Sequence, residues 1–216
     1  PYFLALFTLL IFFLIVGILM TSNPLVLFTN NNHKVHEITT MFDLPNLEII
    51  SYRDVFRMRI DVVEDGQTFE ENALIKVNAL PPHPHYIYLA EDSGIEVDCL
   101  NGAPGIYSAR YAGPEATREQ MCEKLLRECY GSGNRGAQYQ AVMALRFPDG
   151  RIDTFTGIVR GTLAHEMSGD QGFGYDPIFI PEDYDITFAE MDPIEKNQLS
   201  HRYRALNQVK KRLIEI

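Results

Sequence analysis

Four polar clusters hold the side chains that could do chemistry: Thr29, Asn30, Asn31, Asn32, His33 and Lys34; Glu64 with Asp65; Glu91, Asp92 and Ser93; and Phe173, Gly174, Tyr175 and Asp176 with Lys196, His201 and Arg202. Adjacent carboxylates directly after an apolar run are tolerated only where solvent, a cation or a hydrogen-bonded network compensates them. Glu91 and Asp92 therefore mark either an ordinary strand exit or a metal site. Their oxygens would suit a hard divalent cation. The first cluster joins an apolar run to a helical pattern. The free amides and dipole of a helix N-terminus attract anions, which makes a strand, polar turn and helix a natural phosphate site. Each cluster also has a plain reading: Lys34 as a solvated helix lysine, Glu64 and Asp65 as a turn, Phe173 as core. The Gly-rich stretch 169–174 matches neither the Walker nor the dinucleotide pattern.

The elements that must position these groups follow from periodicity and punctuation. Residues 25–29 read as a buried strand, 33–42 as a helix, 48–51 as a second strand. Thr68 to Glu71 fits a capping box, ahead of Ala73, Leu74, Val77 and Leu80 at helical spacing. A strand over 86–89 is expected to end at Glu91 and Asp92, and a helix to run over 114–130. Long strands over 137–147 and 151–163 flank the turn Pro148-Asp149-Gly150. Asp192-Pro193 starts a short helix and Ser200 caps the last one, which is expected to bury Leu206, Val209, Leu213 and Ile216. Hairpins mixed with helices and no strict βαβ repeat indicate an α/β fold with a mixed sheet.

Composition narrows the partners. At 216 residues and 46% hydrophobic, the chain can bury a substantial core. A formal net charge of -10 argues against duplex nucleic acid, which needs a basic footprint. A single nucleotide needs only a few local cations and amides. The 3 cysteines form no CxxC pair and fit a reducing compartment, and Cys122 and Cys129 sit too far apart along one helix for a disulfide. The histidines show no zinc spacing, and His83-Pro84-His85 reads as a loop. Residues 1–20 are apolar enough to span a bilayer, for which about 20 residues suffice, yet no charge precedes Lys34 to orient a span or form a signal peptide. The expectation is that residues 1–19 are upstream translation and that Met20 opens a single domain, 20–216; a membrane anchor is the alternative.

Taken together, "EDGQTFEENALIKV", "EDSGIEVDCLNGAPGIYSARYAG", "GFGYDPIF" and "EKNQLSHRYRAL", in that order, resemble the inosine/xanthosine triphosphate pyrophosphatases over residues 25–213. The resemblance implies an elongated mixed sheet flanked by helices in two lobes, a nucleotide cleft between them, and a cytoplasmic homodimer. It implies hydrolysis of ITP, dITP or XTP to the monophosphate and pyrophosphate with Mg²⁺. Asp92 would be the general base and a metal contact, Glu64 a second metal carboxylate and Ser93 a substrate contact; Glu91 is left without a role. Thr29, Asn31 and Lys34 would meet the triphosphate, with Asn30, Asn32 and His33 in the same loop. Asn30 departs from the family's glycine, and Asn tolerates a left-handed backbone. Phe173 would stack on the purine, with Gly174, Tyr175, Asp176, Lys196, His201 and Arg202 around it. Lys and Arg only donate, so they suit a keto oxygen at purine position 6 and not the amino group of adenine. A buried donor facing a donor costs about 1–3 kcal/mol. The alternatives are a pyrophosphatase for another modified nucleotide and a non-catalytic, membrane-tethered nucleotide-binding module.

Overall fold

The computed structural model describes residues 23–42, 44 and 47–215. The expectation for residues 1–19 lies outside them. In chain order the elements are β1 (Leu25–Phe28), α1 (Asn32–Met41), β2 (Ile49–Ser51), α2 (Tyr52–Phe56), α3 (Phe69–Asn78), β3 (Ile87–Val97), α4 (Arg118–Glu128), β4 (Gly136–Arg146), β5 (Ile152–Leu163), β6 (Phe179–Pro181), α5 (Pro193–Leu199) and α6 (His201–Ile214). They build one 6-stranded sheet in the order β2-β1-β3-β4-β5-β6. Helical crossovers make β1 parallel to β2 and β3. The remaining neighbours pair antiparallel, β4 with β5 as a hairpin and β3 with β4 across the segment that contains α4. The mixed α/β architecture is as expected.

Side-chain alternation sorts the core. Leu25, Leu27, Ile87, Leu89, Met143 and Leu145 pack with α1 and α6 on one face. Val26, Phe28, Tyr88, Ala90, Val142 and Ala144 pack on the other against Phe69, Ala73 and Val77 of α3. Farther along β3 and β4, Ile95, Val97, Ala137 and Tyr139 meet Cys122 and Leu125 of α4 in a third cluster. By the same alternation this cluster shares its face with the first. Glu91 and Ser93 lie on that face in the gap between the two.

Several boundaries differ from the sequence reading. The carboxylates are not at a strand end, because β3 runs on to Val97 and pairs with β4 through Ala137. Helices α3 and α4 begin at Phe69 and Arg118, after the N-caps Thr68 and Thr117. At the first of these only half of the capping box forms. Thr68 Oγ1 accepts from Glu71 N, whereas the Glu71 carboxylate accepts from Gln67 N, one residue too early. The complete box is Thr117 with Gln120. Ser200 caps α6 as expected; Leu206 and Val209 are buried, Leu213 is partly so, and Ile216 lies outside the described residues. Cys99, Cys122 and Cys129 are free thiols. Among the described residues no helix is long and apolar enough to cross a membrane.

Candidate active site

Strand β1 ends at Phe28, opposite Ala90 of β3. Beyond that pair no strand flanks β3 on the β1 side until Pro104 bridges Glu96, so the side chains at positions 91–93 on both of its faces are reached around one open stretch of sheet edge. The N-terminus of α1 stands there too. Asn31 caps this helix, its Oδ1 accepting from His33 N at 2.9 Å and Lys34 N at 3.3 Å, while Thr29 Oγ1 accepts from Asn31 N at 3.1 Å. Asn30 is tied back instead: its Oδ1 accepts from the Tyr52 hydroxyl and from Arg53 Nη2, and its Nδ2 donates to Ile60 O at 3.2 Å. The left-handed backbone considered for Asn30 does not occur; the non-glycine residues with positive φ are Arg57, Asn101 and Asp183 among those described. A cavity of about 830 Å³ opens at this edge. All the residues singled out from the sequence for the site line it except Asn32, which is exposed at the start of α1, and Asp65, which is exposed beside Glu64.

The neighbouring carboxylates face opposite ways and meet different partners. Glu91, only 1% exposed, accepts from Arg202 Nη2 at 2.8 Å and Nε at 3.0 Å, with Lys34 Nζ at 3.7 Å. Burial alone would raise its pKa, but Arg202 and then Lys34 hold it well below the usual carboxylate range. Asp92 projects toward α3. Its Oδ1 accepts from Lys76 Nζ at 2.7 Å and its Oδ2 from Asn72 Nδ2 at 3.2 Å; Lys76 also reaches Glu64 Oε2 at 2.8 Å. Burial raises the Asp92 pKa, an effect that Lys76 opposes without cancelling. Burial would lower that of Lys76, but Asp92 and Glu64 together leave it raised. Of the two adjacent acids, Asp92 is thus the more basic and Glu91 a fixed anion.

A second network builds the far end of the cavity. Lys196 Nζ donates to Asp176 Oδ2 at 2.8 Å and Glu37 Oε1 at 2.9 Å, and Arg202 Nη1 donates to Glu37 Oε2. Arg202 Nη2 also reaches Ser93 Oγ at 3.3 Å. By donor count, Lys196 and Arg202 each retain one N–H for a ligand. Asp176 Oδ2 accepts from Phe173 N at 2.8 Å, which fixes the Gly-rich turn. Gly172 has φ +71, and a Cβ there would lie 2.1 Å from Asp176 Oδ2, so glycine is required. Tyr175 is anchored in the core, its hydroxyl donating to Ser108 O at 2.9 Å. His201 stacks on Tyr139 with centroids 4.8 Å apart, and among the described residues its Nδ1 is a buried atom without a hydrogen-bond partner. Burial, then the Arg202 charge, drive its pKa well below 6.5, so a neutral imidazole lines the wall at neutral pH.

Sequence reasoning missed Glu37, Lys76, Asn72 and Tyr139. Glu37 follows Lys34 by three positions and so shares its helix face, a signal that was there to be read. Lys76 and Asn72 lay in a segment read only for its apolar side.

The geometry has counterparts in known proteins. The Ham1 family model matches residues 25–212. A dITP/XTP pyrophosphatase of Oceanobacillus iheyensis is 40% identical over 189 residues, covering 87% of this chain and 96% of its own. One of the same name from Clostridium tetani is 43% identical over 191 residues, covering 87% and 94%. The structure of a HAM1 protein from Coxiella burnetii superposes with a TM-score of 0.80 at 36% identity, covering 89% of this chain and 99% of that one.

Proposed function

Since the chain belongs to the Ham1 family, we propose that it hydrolyses the non-canonical purine nucleoside triphosphates dITP, XTP and ITP to the monophosphate and pyrophosphate. The observation that carries the reading is Asp92, a buried carboxylate of raised basicity at the cavity wall. It lines the same cavity as the helix N-terminus that suits phosphates and the donor-rich end that suits a 6-keto purine. Thr29, Asn31 and Lys34 hold the triphosphate. Asp92 orients a water toward the α-phosphorus and takes its proton, while Lys76 keeps the carboxylate aimed. Lys196 and Arg202, braced by Glu37, Asp176 and Glu91, offer their remaining N–H groups to the base, and Phe173 stacks on it.

The donor set fits Mg²⁺. Glu64 and Asp92 supply hard oxygens, and the Lys76 ammonium bridging them shows a place arranged for positive charge. Among the described residues no group of three or more His, Cys, Asp or Glu could hold a metal ion. A cation held by one or two carboxylates together with substrate phosphates and water needs no such group. When bound, Mg²⁺ would neutralise phosphate charge and assist departure of pyrophosphate. The proposed setting is the cytosol, as a homodimer; the free cysteines fit the first.

The test is product identity. Protein incubated with dITP and Mg²⁺ should release dIMP and pyrophosphate in equal amounts, with ATP turned over far more slowly. Primary release of orthophosphate would refute attack at the α-phosphorus.

A further inference from the structure

His33, in the first turn of α1, lies against the ring of Phe173, which comes from the Gly-rich turn after β5. The two ring centroids are 5.3 Å apart and the planes are inclined by 13°, an offset stack. The Phe173 side is fixed, because its backbone N–H is held by Asp176 and its ring is flanked by Lys196 Nζ at 5.2 Å and Arg202 Cζ at 5.6 Å from the centroid. His33 is exposed and opens an otherwise amphipathic helix, so its ring can turn without disturbing the core. A flat base held between two rings needs two van der Waals contacts of about 3.5 Å, hence rings roughly 7 Å apart. Because the 5.3 Å between centroids includes the lateral offset of the stack, the two planes already touch, and admitting a base requires the His33 ring to move out by one base thickness, about 3.5 Å.

We propose that His33 is a gate and second stacking surface for the purine: its ring moves outward from Phe173 to admit the base, then closes on the opposite face to complete a sandwich. This rests on the reading that Phe173 stacks the base. His33 immediately precedes Lys34, so closure over the base also sets the turn that meets the phosphates. Recognition at one end of the nucleotide is thereby linked to grip at the other. The sandwich selects for flat, polarisable bases, while the keto-directed N–H groups select among them.

The test is steady-state hydrolysis of dITP by H33A, H33F, H33K and F173A, each checked for folding by circular dichroism, with calorimetric Kd replacing KM wherever turnover is slow. H33A should raise KM about fivefold to tenfold with kcat little changed, as expected for loss of one base–aromatic stack. H33F should restore it and H33K should not. An unchanged or lowered KM in H33A overturns the proposal, as does rescue by H33K without rescue by H33F, which would assign a charge role. F173A separates the levels: a raised KM there with H33A unaffected removes only His33, whereas an unchanged KM in F173A removes the base-stacking reading beneath it.

Discussion

Asp92 and Glu37 are both buried carboxylates bound to cations, yet they call for different experiments. Asp92→Asn keeps size and shape but cannot take a proton, so kcat should fall by about 10²- to 10⁴-fold while the melting temperature stays near the parent's. Activity within a few-fold of the parent would exclude Asp92 as the base. Glu37 ties Lys196 to Arg202. Although burial pulls its pKa upward, Arg202 and Lys196 leave it below the ordinary 4.5. A depressed folded value means that its stabilisation is fully present above 4.5 and fades as the pH falls below it toward the folded value. Glu37→Gln should therefore destabilise the protein by about 3 kcal/mol near neutrality, the scale for breaking a buried pair. In denaturant titrations the gap between variant and parent should narrow below pH 4.5; a constant gap would show that the charge is not responsible. At this scale the sequence was legible where a motif named the residue and silent where partners come from afar. Glu91 could not be assigned a role because Arg202 is 111 positions away.

Among the elements, α6 carries His201 and Arg202 and is pressed onto β5 at Gly157. A Cβ at that glycine would lie 2.1 Å from His201 O and 2.5 Å from Ala205 N, both backbone atoms that cannot turn aside. Gly157→Ala should lift the start of α6 from the sheet. We expect a loss of about 1–3 kcal/mol, a melting temperature lower by about 2–4 °C per kcal/mol, and a raised KM for dITP as Arg202 shifts. An unchanged melting temperature would show that the helix has room to spare. Strands, helices and caps were read well where apolar spacing was regular, as in β4, β5 and α6. The expected end of β3 was wrong for a physical reason. Glu91, Asp92, Ser93 and Gly94 have low strand propensity, but ten register pairs with β4 hold them extended. Helix α2 went unread because 5 residues are too few to show a helical period, and β6, as short as β2, was not separated from the Gly-rich segment before it.

For the molecule as a whole, β1 is tied into the sheet from its first residue, Leu25 N donating to Glu48 O at 2.8 Å. Protein beginning at Met20 should therefore fold and hydrolyse dITP as fast as the 216-residue chain, by comparison of kcat/KM and melting curves. A large deficit would show that the apolar segment contributes to the domain. Composition and hairpin order were enough to anticipate the mixed sheet, whereas its strand order depends on pairings between distant segments that no local pattern encodes. Those distant pairings also govern how the protein comes off the ribosome. The apolar strand Leu25–Phe28 is flanked by β2 and β3, and its partner for Leu25 on the latter is Ile87. At about 5–20 residues per second, translation leaves β1 without that neighbour for several seconds. Strand β3 in turn lacks its longest partner until Arg146 has emerged. Throughout that interval the nascent chain displays a sticky hydrophobic segment, which makes it a client for holding chaperones, and slowing translation across residues 29–86 should increase the yield lost to aggregation.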